Sequence, residues 1–250
     1  MNKTDQRDYR GGMGQRFSSF LVVEEETDIW VGVPESQNST ELRNFSYSIV
    51  KALRGTIEEY ISNRPDFQES LSPIGTDKNI DPILNKMILA AQQAQTGPMA
   101  GVAGAFAHVL GKELVTTYDL DELIIENGGD NYIDINSEVT CSIFAGESPL
   151  SEKIGFKILP KYSPLGICTS SGSFGPSKSL GEADAVAVAA KNTILADCYA
   201  TAIANKVNSG DEIQQNIEII KEEEDLVAGA IIKDEKIAVA GELELQLLDK

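Results

Sequence analysis

Hydrophobic positions along this chain switch between the two-residue period of strands and the 3.6-residue period of helices, and the switches mark out its elements. Residues 17–23 and 29–33 are apolar runs rich in β-formers on either side of an acidic turn at 24–28, which predicts a hairpin. From 39 to 61, Leu42, Phe45, Ile49, Leu53, Ile57 and Tyr60 keep one helical stripe, opened by Ser and Thr and closed by Asn63 and Pro65. Asp81-Pro82 reads as a cap followed by a first-turn proline. Ile83, Leu84, Met87, Ile88 and Ala91 continue that second helix, which stops before Gly97-Pro98. A third helix is predicted to follow at once, with Pro98 in its first position.

The middle of the chain is strand-rich. Residues 122–127, the turn Gly128-Gly129-Asp130 and residues 131–135 read as strand, turn and strand, and 139–145, 153–159 and 165–169 add three more short strands. A continuous apolar run at 183–190 predicts a buried strand. The stretch 193–207 then returns to helical spacing through Ile194, Leu195, Cys198, Tyr199, Ala202, Ile203 and Val207. A charged helix near 212–224 and strands at 227–233, 236–240 and 243–248 close the chain. Helices and strands come in blocks instead of alternating, so the fold class is α+β, with mostly antiparallel sheets packed with helices. Residues 1–15 are polar and Gly-rich and read as a flexible arm, leaving 16–250 as one domain.

Composition narrows the partners. With 21 Lys and Arg against 39 Asp and Glu, the net charge of -18 opposes phosphate backbones and anionic membranes, so neither nucleic acid nor membrane is expected. The same charge repels a nucleotide unless a metal ion or backbone dipoles offset it, which suits a Mg²⁺-bridged ligand. Three cysteines, Cys141, Cys168 and Cys198, stand apart in apolar settings and read as buried thiols of a reducing compartment. The longest apolar run, near 99–110, is too short and too rich in Gly and Ala to span a bilayer, and no leader pattern opens the chain. A cytoplasmic protein is expected, with a homodimer as the default assembly.

Candidate chemistry follows from a few polar residues in apolar surroundings. The lone histidine, His108, sits in the small-residue helix and reads as a filler, and no zinc or Walker pattern occurs, so no catalytic residue is assigned. The acidic run at 221–225 reads as a solvated helix end, and Asp134 as a surface residue on the same strand face as Asp130. Gly or Ala at 100, 101, 103, 104, 105 and 107 let another element pack tightly, as in helix-to-sheet contact, or let a ligand approach. The Ser, Gly and Thr cluster at 169–173, with Lys178 beyond it, has the composition of a loop whose bare N–H groups face an anion. Asp197 and Thr201, four residues apart, share one face of an otherwise apolar helix, where a carboxylate needs a partner.

Taken in chain order, GPMAGVAGAFA (97–107), ENGGD (126–130), TSSGS (169–173) and ADCYAT (196–201) resemble the motifs of the ApbE-like superfamily, and of a shorter branch of it. Its best-known members are Mg²⁺-dependent FAD:protein FMN transferases, which split FAD and attach the FMN half to a Thr or Ser hydroxyl of an acceptor protein. The resemblance implies an ApbE-like fold and Mg²⁺ ligands at Asp197, Thr201 and the Gly101 carbonyl. It also implies a pyrophosphate of FAD, or of another nucleotide, against Asn127, Gly128, Gly129, Asp130, Ser171, Gly172 and Ser173, with Lys178 as a mobile cation. Where the transferases have an Asp and then a Lys or Glu in the small-residue helix, this chain has Pro98 and Gly104, and their His-x-x-Asp-Pro segment is replaced by GPSKSLGEAD. Both losses remove groups expected to handle the flavin. Three readings stand: a metal-assisted flavin-nucleotide enzyme, a catalytically silent binding module, or a structural protein in which Asp197 caps a neighbouring backbone.

Overall fold

Residues 16–172 and 181–248 are described by the computed structural model. The hairpin predicted near the start forms from β1 (Ser18–Glu24) and β2 (Thr27–Val33), paired antiparallel with Glu24 opposite Thr27. Just before it, Arg16 pairs with the Glu122 carboxylate and donates to the carbonyls of Ser137 and Glu138, so the first strand is anchored to the middle of the chain. Helix α1 (Thr40–Asn63) starts where Ser39 accepts a hydrogen bond from the Leu42 N–H at 3.1 Å. A one-turn helix, α2 (Asp66–Glu69), precedes α3 (Pro82–Ala94), which Asp81 caps by accepting from the Ile83 N–H at 2.9 Å.

The third helix begins differently from its prediction. Pro98–Gly101 form a 3₁₀ turn, and Gly101, at φ -105° and ψ 15°, separates it from α4 (Val102–Thr117). Strands β3 (Leu123–Asn127), β4 (Asp130–Asp134), β5 (Val139–Ser142), β6 (Ile154–Ile158), β7 (Leu165–Ser170) and β8 (Ala185–Ala190) follow, and then helix α5 (Thr193–Ala204) with Asn192 as its cap. The charged helix expected at 212–224 is two short pieces, α6 (Ile213–Asn216) and α7 (Glu218–Glu222), joined at Ile217. Both pieces keep one buried stripe of Ile213, Ile217 and Ile220, so the break leaves the packing face intact. Strands β9 (Leu226–Lys233), β10 (Lys236–Gly241) and β11 (Glu244–Leu247) complete the order.

Eight strands make one antiparallel sheet in the order β1-β2-β3-β4-β7-β8-β9-β10, and β11-β6-β5 make a second. Helices α1, α3, α4 and α5 cover one face of the large sheet, and the small sheet covers the other, giving three layers with a hydrophobic core on each side. Strand β8 shows why its sequence is apolar throughout. Val186, Val188 and Ala190 point into the helical core while Ala185, Ala187 and Ala189 point at the small sheet, so neither face of the strand reaches water.

Cys168 and Cys198 are buried as expected, but Cys141 is only half-buried, because β5 is an edge of the small sheet; all three are free thiols. Among the described residues no helix is long and apolar enough to cross a membrane.

His108 is buried in α4 with its ring edge-on to Tyr132, centroids 6.4 Å apart, and its Nδ1 has no hydrogen-bond partner. Burial, helped by Lys86 and Lys112, pushes its pKa from 6.5 down to about 4. Between those values the unfolded chain takes up a proton that the folded chain refuses, so folding weakens as the pH falls. Urea denaturation is expected to show His108→Gln losing less stability than the parent between pH 7 and pH 5, by up to about 2 kcal/mol.

Candidate functional site

The site is built where the β3–β4 turn, the end of β7 and the helices α4 and α5 meet. Side-chain alternation puts Asn127, Asp130 and Cys168 on the helical face of the sheet, in line with Ile125, Tyr132 and the rest of that core. The turn between β3 and β4 has only two residues, Gly128 at φ 67° and Gly129 at φ 103°. Both angles are left-handed, which is why the chain carries glycine twice there. Gly129 donates its N–H to Glu126 Oε1 at 2.8 Å, so that amide is used inside the turn. A side chain on Gly128 would meet nothing within 4 Å, whereas one on Gly129 would lie 3.5 Å from the Thr169 carbonyl oxygen, so the turn sits beside the end of β7 with one open corner. Asn127 Nδ2 donates to the Ala103 carbonyl at 3.1 Å and ties the turn to the start of α4.

Asp197 projects from α5 toward that same part of α4. It is buried, and its Oδ2 accepts the Gly104 N–H at 2.8 Å. At Gly104 a Cβ would stand 2.6 Å from the Thr193 carbonyl oxygen and 2.8 Å from Asp197 Cβ, and at Gly101 it would stand 2.8 Å from Cys198 Sγ and 2.9 Å from Ile194 Cγ2. The small residues of the sequence therefore form a seam between two helices at these positions. At Gly101 and Gly104 the neighbour is α5, while farther along the same helix Gly111 lies against Tyr132 of the sheet.

Electrostatics concentrate below the seam. Asp130 is buried and its Oδ1 has no hydrogen-bond partner. Burial pushes its carboxyl well above the usual range, the neighbouring Asp197 adds to the rise, and the Cys168 thiol and the Thr169 N–H pull partly against it. Burial raises Asp197 as well, with the Gly104 N–H opposing. Cys168, whose own thiol burial and Asp130 push far up, donates to the Thr193 carbonyl at 3.3 Å, and Thr193 Oγ1 is fully buried without a partner. Two buried carboxylates in each other's field need a proton or a cation between them. Among the described residues no group of three or more His, Cys, Asp or Glu side chains is spaced to hold a metal ion, so any cation here would draw on two carboxylates and on main-chain, hydroxyl or ligand oxygens.

Thr201 lies one turn beyond Asp197 on the same helix face and is half-buried, so that face runs from interior toward solvent. Ser171 and Gly172 follow directly after β7, where Gly172 donates its N–H to the Ala183 carbonyl at 2.8 Å. Gly172 packs against Gly181, and Gly181 against the Ala204 carbonyl at the end of α5. Ser173 and Lys178 lie outside the described residues. Asp134 is half-buried, not a surface residue, on the face it shares with Asp130, and lies in the field of Lys112 and Lys191. Cys168 and Thr193 belong to the same nest, although a strand cysteine and a helix-starting threonine carry no signal of it in the sequence.

A long antiparallel sheet with helices on one face and a small sheet on the other is the fold of the flavin transferases named ApbE. The structure aligns with the apo flavinyl transferase ApbE of Pseudomonas stutzeri at a TM-score of 0.51 and 13% identity over 90% of this chain and 93% of that one. It aligns equally with the flavin transferase ApbE of Vibrio cholerae, at 0.51 and 10% identity over 90% and 96%. At such identities the likeness is one of fold. The chain belongs to the family described as AbpE bacteria, whose profile matches residues 11–243, well beyond the four motifs. Among its relatives, the UPF0280 protein of Methanobrevibacter smithii is 36% identical over 211 residues, 82% of this chain and 88% of its own length. The UPF0280 protein of Methanocaldococcus jannaschii is 35% identical over 208 residues, 81% and 84%.

The seam makes a direct prediction. Gly104→Ala must push α4 from α5 or rotate Asp197, and overpacking of this kind costs about 1–3 kcal/mol. Chemical denaturation is expected to register that loss, and a fully stable variant would show that the helices do not meet as described.

Proposed function

We propose that the protein is a metal-assisted flavin-nucleotide enzyme, taking FAD or another nucleotide with Mg²⁺ at the site between α4, α5 and the Gly128-Gly129 turn. The observation that carries this reading is the pair Asp130 and Asp197, buried together in an ApbE fold, neither of which joins an ion pair among the described residues. In this reading Asp197, held in orientation by the Gly104 N–H, and Thr201, one turn nearer solvent, would hold Mg²⁺ with the Gly101 carbonyl. Hard oxygen donors of this kind suit that ion. When bound, Mg²⁺ would offset the charge of a pyrophosphate and polarise its phosphoryl oxygens. The open corner at Gly128, with Ser171 at the start of the following loop, would receive the phosphates, because no side chain fills the corner, whereas the Gly172 N–H is already given to Ala183. Gly129, its N–H already given to Glu126, would shape the turn and leave anion binding to its neighbours. If the reaction follows the transferases, the acceptor is a hydroxyl on another protein.

One observation favours a second reading, a flavin- or nucleotide-binding module without the standard transfer step. The position at which the transferases carry a Lys or Glu is Gly104 here, and α5 leaves no room there for any side chain. The charged group is thus excluded by packing, and a simple substitution would not restore it.

Incubation of the purified protein with FAD and Mg²⁺, with AMP release followed alongside binding, separates the two. AMP release that needs Asp197 supports the enzyme; binding that needs Mg²⁺ and Asp197 without AMP supports the module. For either, FAD at 100 times its dissociation constant should stabilise the protein by about 2.7 kcal/mol in the presence of Mg²⁺. Asp197→Asn keeps an acceptor for Gly104 and is expected to weaken that binding at least tenfold. If the melting temperature ignores FAD, ATP and Mg²⁺ alike, Asp197 is a backbone cap and both readings fall.

A further inference from the structure

We propose that Asp130 is a second carboxylate ligand to the divalent cation held by Asp197, so that the metal bridges the sheet and α5. The inference rests on the metal reading above and adds to it a residue from another layer of the fold.

The geometry begins with strand pairing. Asn131 faces Ile167 across β4 and β7, which sets Asp130 beside Cys168, on the face that the helices cover. Cys168 donates to the carbonyl of Thr193, and the same carbonyl lies with Asp197 against Gly104. Asp130 is thereby placed under the first turns of α5, the part of the helix that presents Asp197. One of its oxygens is served by the sheet, through the Thr169 N–H, while the Cys168 proton is given to Thr193. The other, Oδ1, is inaccessible to solvent and has no donor, and the residue as a whole is only 5% exposed. A carboxylate oxygen left bare at that depth is costly unless something positive reaches it. Arginine and lysine do not: among the described residues the ion pairs lie elsewhere, on Arg16, Arg54, Arg64, Lys157, Lys221, Lys233 and Lys236. A divalent ion between Oδ1 and the Asp197 carboxylate would satisfy both groups at once, and it would hold β4 to α5 through their side chains. The competing solution is a single proton shared by the two acids, as in paired carboxylates generally.

The two solutions differ in what Asp130→Asn, which keeps the shape, does to metal binding. Mn²⁺ is the probe, titrated into the full chain by isothermal calorimetry with melting temperature measured in parallel. A bridging role predicts that Asp130→Asn lowers Mn²⁺ affinity at least tenfold and shrinks the rise in melting temperature that Mn²⁺ produces. If the pair only shares a proton, Mn²⁺ affinity and the rise it produces stay within twofold of the parent. That result overturns the inference, while an intact effect of Asp197→Asn in the same titration would leave the metal reading standing. Absence of Mn²⁺ binding to the parent protein overturns both. Anomalous scattering from a Mn²⁺-soaked crystal of the unaltered chain tests the bridge without a variant. A peak within coordination distance of Asp130 Oδ1 and Asp197 upholds it, and one ligated by Asp197 alone, or no peak, refutes it.

Discussion

One buried hydrogen bond, from the Gly104 N–H to the Asp197 carboxylate, sets the geometry on which the site depends. It can form only because position 104 lacks a side chain, which lets the backbone of α4 come against Thr193 and Asp197 of α5. The bond fixes where the carboxylate points and also supplies a donor to a charge taken out of water. A hydrogen bond to a charged group is worth more than one between neutral partners, yet a single N–H does not meet the demand of a whole carboxylate. The rest of the arrangement follows from that deficit.

The layers of the fold make the deficit persistent. The eight-stranded sheet is covered on both faces through its middle strands, so β7 and β8 and the polar groups on them have no route to solvent sideways. Asp130 sits where this covering is complete, while the neighbouring Gly128 corner is left open and Thr201 is only half-buried. Burial and exposure are thus graded over a short distance. Carboxyl oxygen atoms lie at the deep end and a bare backbone turn lies at the rim, so acceptors are buried and main-chain groups face outward. The strongly negative net charge of the chain works against an anionic ligand.

Relation to the transferases divides along the same line. The fold is shared, as the alignments with the two ApbE structures show, and family membership extends over nearly the whole chain. In this chain the small-residue helix is shaped by packing: Pro98 opens a 3₁₀ turn and Gly104 admits α5. A helix built to pack this closely cannot also carry a long charged side chain at the contact. A shared scaffold does not by itself fix the chemistry, which resides in a few positions grafted on it.

Much of this was legible along the chain because it is local. The caps at Ser39 and Asp81 and the two-glycine turn follow from short-range chemistry, as does the doubly buried run of β8. So does the oddity of a carboxylate in α5. The small residues could mean a seam or a ligand site with nothing local to choose between them, and helical periodicity predicts one helix where α6 and α7 are two. No local pattern signals that β5, β6 and β11 leave the main sheet for a second one. Only the tertiary structure set Asp130 in the field of Asp197, with Cys168 and Thr193 beside them. The physical reason is that periodicity records which face of an element is buried, whereas electrostatic need depends on what lies across the interface, and that neighbour comes from another part of the chain.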